Sequence, residues 1–416
     1  LKVAVVTLGC PKNEVDSKVI INYLRRAGFE VVSVDFADVV IVNTCGFIED
    51  AKRESIDEIM ELLEKGKRVF VAGCLAERYR GTIEELIPEV EGWLYIDDIR
   101  DVGRIIKGEK NNPSNKSFLL SFRDIEGVVE RGSVYVKISD GCNNRCGYCA
   151  IPLIRGTLRS RSIEDIAREV KYHLKNGVFE INLVSQDITS YGRDLGDNTN
   201  LLRLLEELVK LDGDFRIRLL YAHPFGVSRE FVEFITSCEK IVPYIEMPIQ
   251  HINERILSLM NRKGGKEAVL KAVDLIKEYG LFWRTTLLLG HPGEDEDSIE
   301  ELINFLHEAR PWRVAVFGYS KEEGTDSYAL KAPSRKAIRE WVSVLNEVID
   351  RIMEEESRSI LQSIREVFVF DKEARLDIQA PEIDGFVINR EDLRKTGIVR
   401  ARIVDSEFVD FRVDPI

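Results

Sequence analysis

The chain has 416 residues, of which 44% are hydrophobic and 31% charged, and carries a net charge of −13. That length accommodates roughly three domains of about 150 residues, and the acidic balance argues against a general nucleic-acid binder, whose footprint is a basic face. Seven cysteines do not make a disulfide framework, and no apolar run reaches the length of a membrane span, so a reducing cytoplasm is the expected setting.

The opening "LKVAVVTLGC" reads as a buried strand rather than as a charged leader followed by an apolar run. Near-continuous apolar runs at 3–8, 38–44 and 68–73 predict strands covered on both faces, with helical spacing at 14–27 and 49–65 between them. Residues 1–106 are therefore expected to form a βαβ domain around a parallel sheet. "KGEKNNPSNKS" (107–117) is polar, contains Pro and lacks periodicity, so a linker is placed over 107–132.

The alternation restarts within 133–365. Strands are predicted at 134–139, 180–185, 216–222, 244–250, 282–290 and 313–319. Amphipathic segments follow at 163–175, 201–210, 228–237, 253–279 (in two pieces), 298–309 and 335–364. Six such units make an open (βα)6 relative of the eight-stranded TIM barrel, with its chemistry at the C-terminal ends of the strands. Residues 366–416 lose helical periodicity, and "VFVF", "GFVI" and "IVRARIV" predict a small antiparallel β-barrel. The fold class is α/β.

"DGCNNRCGYCAIPLIRG" places Cys142, Cys146 and Cys149 directly after the first barrel strand, with no fourth cysteine or histidine nearby. Three thiolates hold three irons of a cubane cluster and leave the fourth open to an external ligand. The competing reading is a zinc site completed by water or a distant histidine. Cys10, Cys45 and Cys74 each lie close behind a predicted parallel strand of the first domain, so all three emerge at one sheet edge. Neighbouring strands are about 4.8 Å apart, so short loops bring these thiols together as a second set of three. Any one of them alone would pass for an ordinary buried thiol. Cys238 has no partner in the pattern and reads as a packed residue.

"GCNNRCGYCAIPLIRG", with Tyr148 before the third cysteine, resembles the signature of radical S-adenosylmethionine (SAM) enzymes. "TLGCPKNEVDS", "VNTCGFIEDAKRESIDEI" and "GCLAERY" are similar to the amino-terminal domain of one branch of these, the methylthiotransferases. The resemblance implies a transferase with two 4Fe-4S clusters, a radical SAM cluster on Cys142, Cys146 and Cys149 and a second cluster on Cys10, Cys45 and Cys74. It further implies that SAM is cleaved at the first, that the resulting radical activates a carbon of the substrate, and that the second is the sulfur route. Catalysis would rest on the clusters, with no single acid or base. Tyr148, Ser185, Gln186, Gly290 and Gly293 are the implied SAM-binding residues, with Asp187 beside them; His223 and His291 stand where relatives carry other residue types. The terminal barrel would be of the TRAM type, and an electron donor such as flavodoxin or ferredoxin is implied.

One branch of that family modifies a tRNA adenosine, and the other the β-carbon of an aspartate in ribosomal small-subunit protein S-twelve. "CPKN", "PYIEMPIQH", "YSKEEGT" and "APEIDG" resemble the protein-modifying branch. Residues 367–416 carry a net charge of −3, where a grip on tRNA phosphates calls for a basic surface. Five cations within 389–402 leave a local RNA contact open. From other classes, a two-cluster electron carrier predicts no open coordination site, and a zinc-stabilised RNA-binding module predicts a basic surface.

Overall fold

The computed structural model describes residues 1–109, 118–393 and 395–416. Its first layer is a five-stranded parallel sheet in the order β2-β1-β3-β4-β5. The strands are β1 (Lys2–Thr7), β2 (Glu30–Val31), β3 (Val39–Thr44), β4 (Arg68–Gly73) and β5 (Gly92–Leu94). The helices between them are α1 (Pro11–Arg26), α2 (Glu49–Glu64), the short α3 (Cys74–Arg78) and a second short helix at Thr82–Leu86. Every residue of β3 is buried, which is why it reads as an unbroken apolar run. The edge strands β2 and β5 are too short to show a period. Of the linker expected over 107–132, residues 110–117 lie outside those described; Phe118, Leu120, Ile125 and Val128 beyond them are buried in the same core as α1.

The central layer is a six-stranded sheet in sequential order: β6 (Gly132–Lys137), β9 (Val178–Val184), β10 (Arg216–Leu219), β11 (Ile241–Glu246), β12 (Phe282–Leu289) and β13 (Arg313–Gly318). All its pairings are parallel, as βα repetition requires. Between β6 and β9 lie the short paired strands β7 (Ser139–Asp140) and β8 (Arg159–Ser160), with α4 (Ile151–Arg155) between them. Ser162, Asn200, Ser228, Asn253, Asp295 and Ser334 each accept a backbone N–H as the N-cap of an outer helix. Each such cap contributes about 1 kcal/mol. The expected strand 244–250 ends instead at Glu246, because Pro248 has no N–H to give the ladder.

After the long helix α5 (Arg335–Ser359) the chain forms a curled antiparallel sheet. Its strands are β14 (Ile364–Val369), β15 (Ala374–Leu376), β16 (Gly397–Glu407) and β17 (Asp410–Pro415), in the order β15-β14-β16-β17. "GFVI" contributes only a single bridge, Val387 to Phe411. This sheet packs against the inner face of the central one, where Tyr244, Trp312 and Leu220 share a core with Val367, Phe368 and Phe411.

Polar groups lock that packing. Glu180 pairs with Arg218 (3.0 Å) and with Arg375 of β15 (2.7 Å), all three fully buried. Burial alone would raise the Glu180 carboxyl, but the two guanidiniums outweigh it and hold it at about 2. Asp384 accepts from Tyr244 and Arg284, and the Trp312 indole donates to the Ile378 carbonyl.

Candidate active site

Among the strands of the first sheet, β1, β3 and β4 are adjacent, and a cysteine follows each. Cys10 is the N-cap residue of α1, Cys45 directly follows β3, and Cys74 begins α3. Gly9, at φ +92°, passes so close to Cys45 that a Cβ on it would stand 2.9 Å from the Cys45 Cβ. Cys45 is fixed through Ser55, which bonds both its N–H and its carbonyl at 3.0 Å. The fully buried Asn13 donates to the Leu8 and Thr44 carbonyls, each at 2.9 Å, and so staples the Cys10 loop to the Cys45 loop.

These thiols differ electrostatically. Burial pushes Cys10 up, but the Lys12 ammonium, the Asn13 N–H and Arg155 outweigh it and leave it below the ordinary thiol value. Burial carries Cys45 to about 12, helped by its two neighbouring cysteines. Burial also raises Cys74, against the opposing charge of Arg155.

The second set lies on the loop after β7. Gly147 is pinned on both sides, its N–H donating to the Met260 carbonyl and its own carbonyl accepting from Ser327, each at 2.7 Å. Asn144 donates to Asp187 (2.7 Å), tying this loop to the end of β9. Arg262 lies 3.6 Å from the Cys146 sulfur and 3.4 Å from the Tyr148 hydroxyl. Burial raises Cys142 and takes Cys149 to about 12. All seven cysteines are free. Cys238, the C-cap residue of an outer helix, packs against the barrel core as expected.

Arg155 joins the two sets. It is the last residue of α4, six positions after Cys149, and lies in the first sheet's territory: Nη2 donates to Asn13 (2.9 Å) and to the Cys74 sulfur (3.2 Å). Nη1 pairs with Asp16 (2.7 Å) and Asp140 (3.4 Å), and Lys137 at the end of β6 pairs with the same two carboxylates. All four charged groups are at most 4% exposed. Burial would raise Asp140, yet Lys137 and Arg155 hold it far below the usual carboxylate range. Asn13, Asp16, Lys137, Asp140 and Arg155 were not singled out from sequence, though all but Lys137 lie within the quoted motifs.

The remaining expected site residues fall at the C-terminal strand ends. Ser185 directly follows β9, buried with its Oγ unpartnered. Gln186 donates to Asp140 (3.0 Å), and its Oε1 is buried without a partner. Tyr148 packs edge-on to His291. His291 bonds the Pro292 carbonyl and the Ser327 hydroxyl, and burial lowers it to about 4, so it is neutral near pH 7. His223 caps a short turn through Nδ1 and is lowered to about 3 by burial and by Arg262. Gly290 and Gly293 both have positive φ, and Cβ atoms there would meet Ile338 (2.8 Å) and Leu259 (2.4 Å). Their missing side chains therefore answer to packing.

The donor set fits iron–sulfur clusters: two groups of three free thiols on adjoining loops, with Arg155 and Arg262 supplying positive charge to offset thiolates. Among the described residues no three cysteine, histidine or acidic side chains stand at single-ion spacing, a spacing that a cluster, with each sulfur on a different iron, does not need.

Residues 136–306 match the model of the radical SAM superfamily, and residues 2–94 that of the uncharacterized protein family UPF0004. The fold resembles the radical SAM methyltransferase TsrM of Kitasatospora setae (TM-score 0.57, 15% identity, 79% of this chain and 77% of that one). It also resembles the cobalamin-dependent radical SAM enzyme OxsB (TM-score 0.55, 15% identity, 84% and 56%). Among curated relatives, the ribosomal protein uS12 methylthiotransferase RimO of Thermodesulfovibrio yellowstonii is 41% identical, covering 94% of each chain. RimO of Aquifex aeolicus is 38% identical over 97% and 94%, and that of Acetivibrio thermocellus 36% over 98% and 97%. Identity of this order along both cysteine-bearing layers and the terminal sheet means that the chain belongs to the RimO family of radical SAM methylthiotransferases.

Proposed function

We propose that the protein exchanges one hydrogen on the β-carbon of an aspartate in ribosomal protein uS12 for a methylthio group. The observation that carries this is the Arg155 bridge, which sets the loop of one cysteine triad against the sulfur of another, so that both address one space. In this reading Cys142, Cys146 and Cys149 hold one 4Fe-4S cluster, and Cys10, Cys45 and Cys74 hold the second. When bound, these groups and SAM supply one-electron cleavage, hydrogen abstraction and sulfur; the protein positions them and excludes water.

The chain's own residues fit the remaining tasks. The unpartnered Ser185 Oγ and Gln186 Oε1 are acceptors for a buried ammonium such as that of SAM. Tyr148, held between Arg262 and His291, forms an apolar wall beside its loop. Residues 1–106, 133–365 and 366–416 act as cluster, radical SAM and TRAM-like units, joined through 107–132. A flavodoxin or ferredoxin is the electron donor, and the basic run at 389–402 is the place for any RNA contact. No helix among the described residues is long and apolar enough to cross a membrane, and a cytoplasmic location accords with a ribosomal substrate.

The test is the intact mass of uS12 from a host lacking its own enzyme, with and without this chain. One methylthio group in place of one hydrogen is the expected gain. An unchanged uS12 together with methylthiolated tRNA adenosine would move the protein to the other branch.

A further inference from the structure

Lys12 stands two positions after Cys10, in the first turn of α1. Its ammonium lies 3.4 Å from the centroid of the Tyr221 ring. Among the described residues it makes no hydrogen bond or ion pair, in a protein whose net charge is −13. Tyr221 lies just beyond β10 in the left-handed region, at φ +69°. For a residue with a Cβ that conformation costs roughly 1–2 kcal/mol, and it is kept here.

Three more polar groups face the same place. The Tyr221 hydroxyl and the hydroxyl of Tyr135 on β6 make no hydrogen bond among the described residues, and both are open to solvent rather than sealed. The buried Glu246 at the end of β11 leaves Oε2 unpartnered. These groups are close enough to act on one another: Tyr221 feels Glu246, Cys10 and Tyr135, and Glu246 feels Lys12. Burial pushes the Glu246 carboxyl up to about 7, which restrains its negative charge.

Lys12 and Tyr221 are half-buried, and an ammonium that rests on a ring face with no counter-ion, beside a cluster loop at the strand ends, marks where an anionic group sits. One ammonium and two phenolic O–H groups are all donors, the complement of a carboxylate. We propose that Lys12, with the hydroxyls of Tyr135 and Tyr221, seats the carboxylate of the substrate aspartate. This rests on the reading of uS12 as substrate. It places the β-carbon, one bond from that carboxylate, beside Cys10 and its cluster loop, and it gives the enzyme a reason to accept aspartate over asparagine. SAM also carries a carboxylate and is the other source of the same chemistry; the position of Lys12 beside Cys10, on the first sheet, favours the substrate.

The test measures binding of unmodified uS12, and of uS12 with the target aspartate changed to asparagine, to the reconstituted enzyme and its Lys12→Met, Lys12→Arg and Tyr221→Phe variants. Lys12→Met should weaken binding of the aspartate form roughly 10- to 100-fold, the weight of a charge-assisted hydrogen bond. It should leave the already weak asparagine form unchanged, and Lys12→Arg should retain most of the preference. Tyr221→Phe, which keeps the ring and so the fold, should lose several-fold on the aspartate form alone. SAM affinity should not move. Equal losses on both substrate forms would overturn the seat, as would a loss of SAM affinity with uS12 binding intact, which would assign Lys12 to the cofactor. A parent enzyme that modifies uS12 while Lys12→Met still discriminates overturns the seat alone. A parent enzyme that neither binds nor modifies uS12 overturns the functional reading and the seat together.

Discussion

Arg155 touches the Cys74 sulfur and Asn13 with one nitrogen and two buried carboxylates with the other. Replacing it with methionine fills the volume but leaves Lys137 alone against Asp16 and Asp140. Stripping one partner from a buried ionic group costs about 3–5 kcal/mol, so the urea midpoint of Arg155→Met should fall accordingly. The variant should also retain less iron on the triad that contains Cys74. Arg155→Lys should not restore either property, because a single ammonium cannot serve both sets at once. The cysteines separate by role: Cys142→Ala should abolish SAM cleavage to 5′-deoxyadenosine, while Cys45→Ala should leave cleavage largely intact and stop methylthiolation, both read by chromatography of the products. Glu294 gives a pH signature. It is buried, accepts the Gly290 and His291 N–H groups, and is pushed by burial from 4.5 to about 8. A carboxyl raised in the folded state binds its proton more tightly there, so its share of stability is complete below about 4.5 and lost as the pH rises through about 8. Melting temperature should therefore decline between those values, and less steeply in Glu294→Gln.

At the scale of elements, what the sequence displayed and what it concealed have separate causes. Strands β3 and β4 were legible because both faces are covered, and the outer helices because their apolar stripes and polar caps recur at helical spacing. The strand-end placement of Cys10, Cys45 and Cys74 was legible because parallel strands share a direction, so equivalent positions in sequence become one edge in space, and the grouping of Cys142, Cys146 and Cys149 because all three lie on one short loop. The Arg155–Asp16 and Arg155–Asn13 contacts were not, since their partners are 139 and 142 residues apart and each alone looks like an ordinary surface residue of a helix. At Gly290 and Gly293, which the family resemblance implies as SAM-binding residues, the structure adds a constraint the sequence did not show: Ile338 and Leu259 occupy the space that their side chains would need. Strand β15 was missed because three residues carry too little pattern, and "GFVI" was over-read because four apolar-rich residues carry no direction.

Across the whole molecule, the terminal sheet lines the inside of an open half-barrel as well as standing at its end. Glu180 and Arg218 on the central sheet depend on Arg375, and Tyr244 and Arg284 depend on Asp384, so buried polar pairs as well as a shared apolar core join the inner face of the central sheet to the terminal sheet. Removing residues 366–416 should therefore do more than weaken substrate docking. The shortened chain should bind hydrophobic dyes, lose cooperative unfolding and precipitate, whereas a detachable docking module would leave a soluble, SAM-cleaving core.

The Glu180–Arg375 pair, 195 residues apart in the chain, also bears on how the protein is made. A ribosome translating this message delivers Glu180 and Arg218 long before it delivers the strand that completes their pairing. For most of its synthesis the half-barrel is an unfinished curl with an under-compensated carboxylate and an uncovered inner wall. Slow codons or a pause before the stretch that encodes residues 366–416 would prolong that exposed interval, and a factor that shields nascent chains would act on this protein chiefly before those residues emerge.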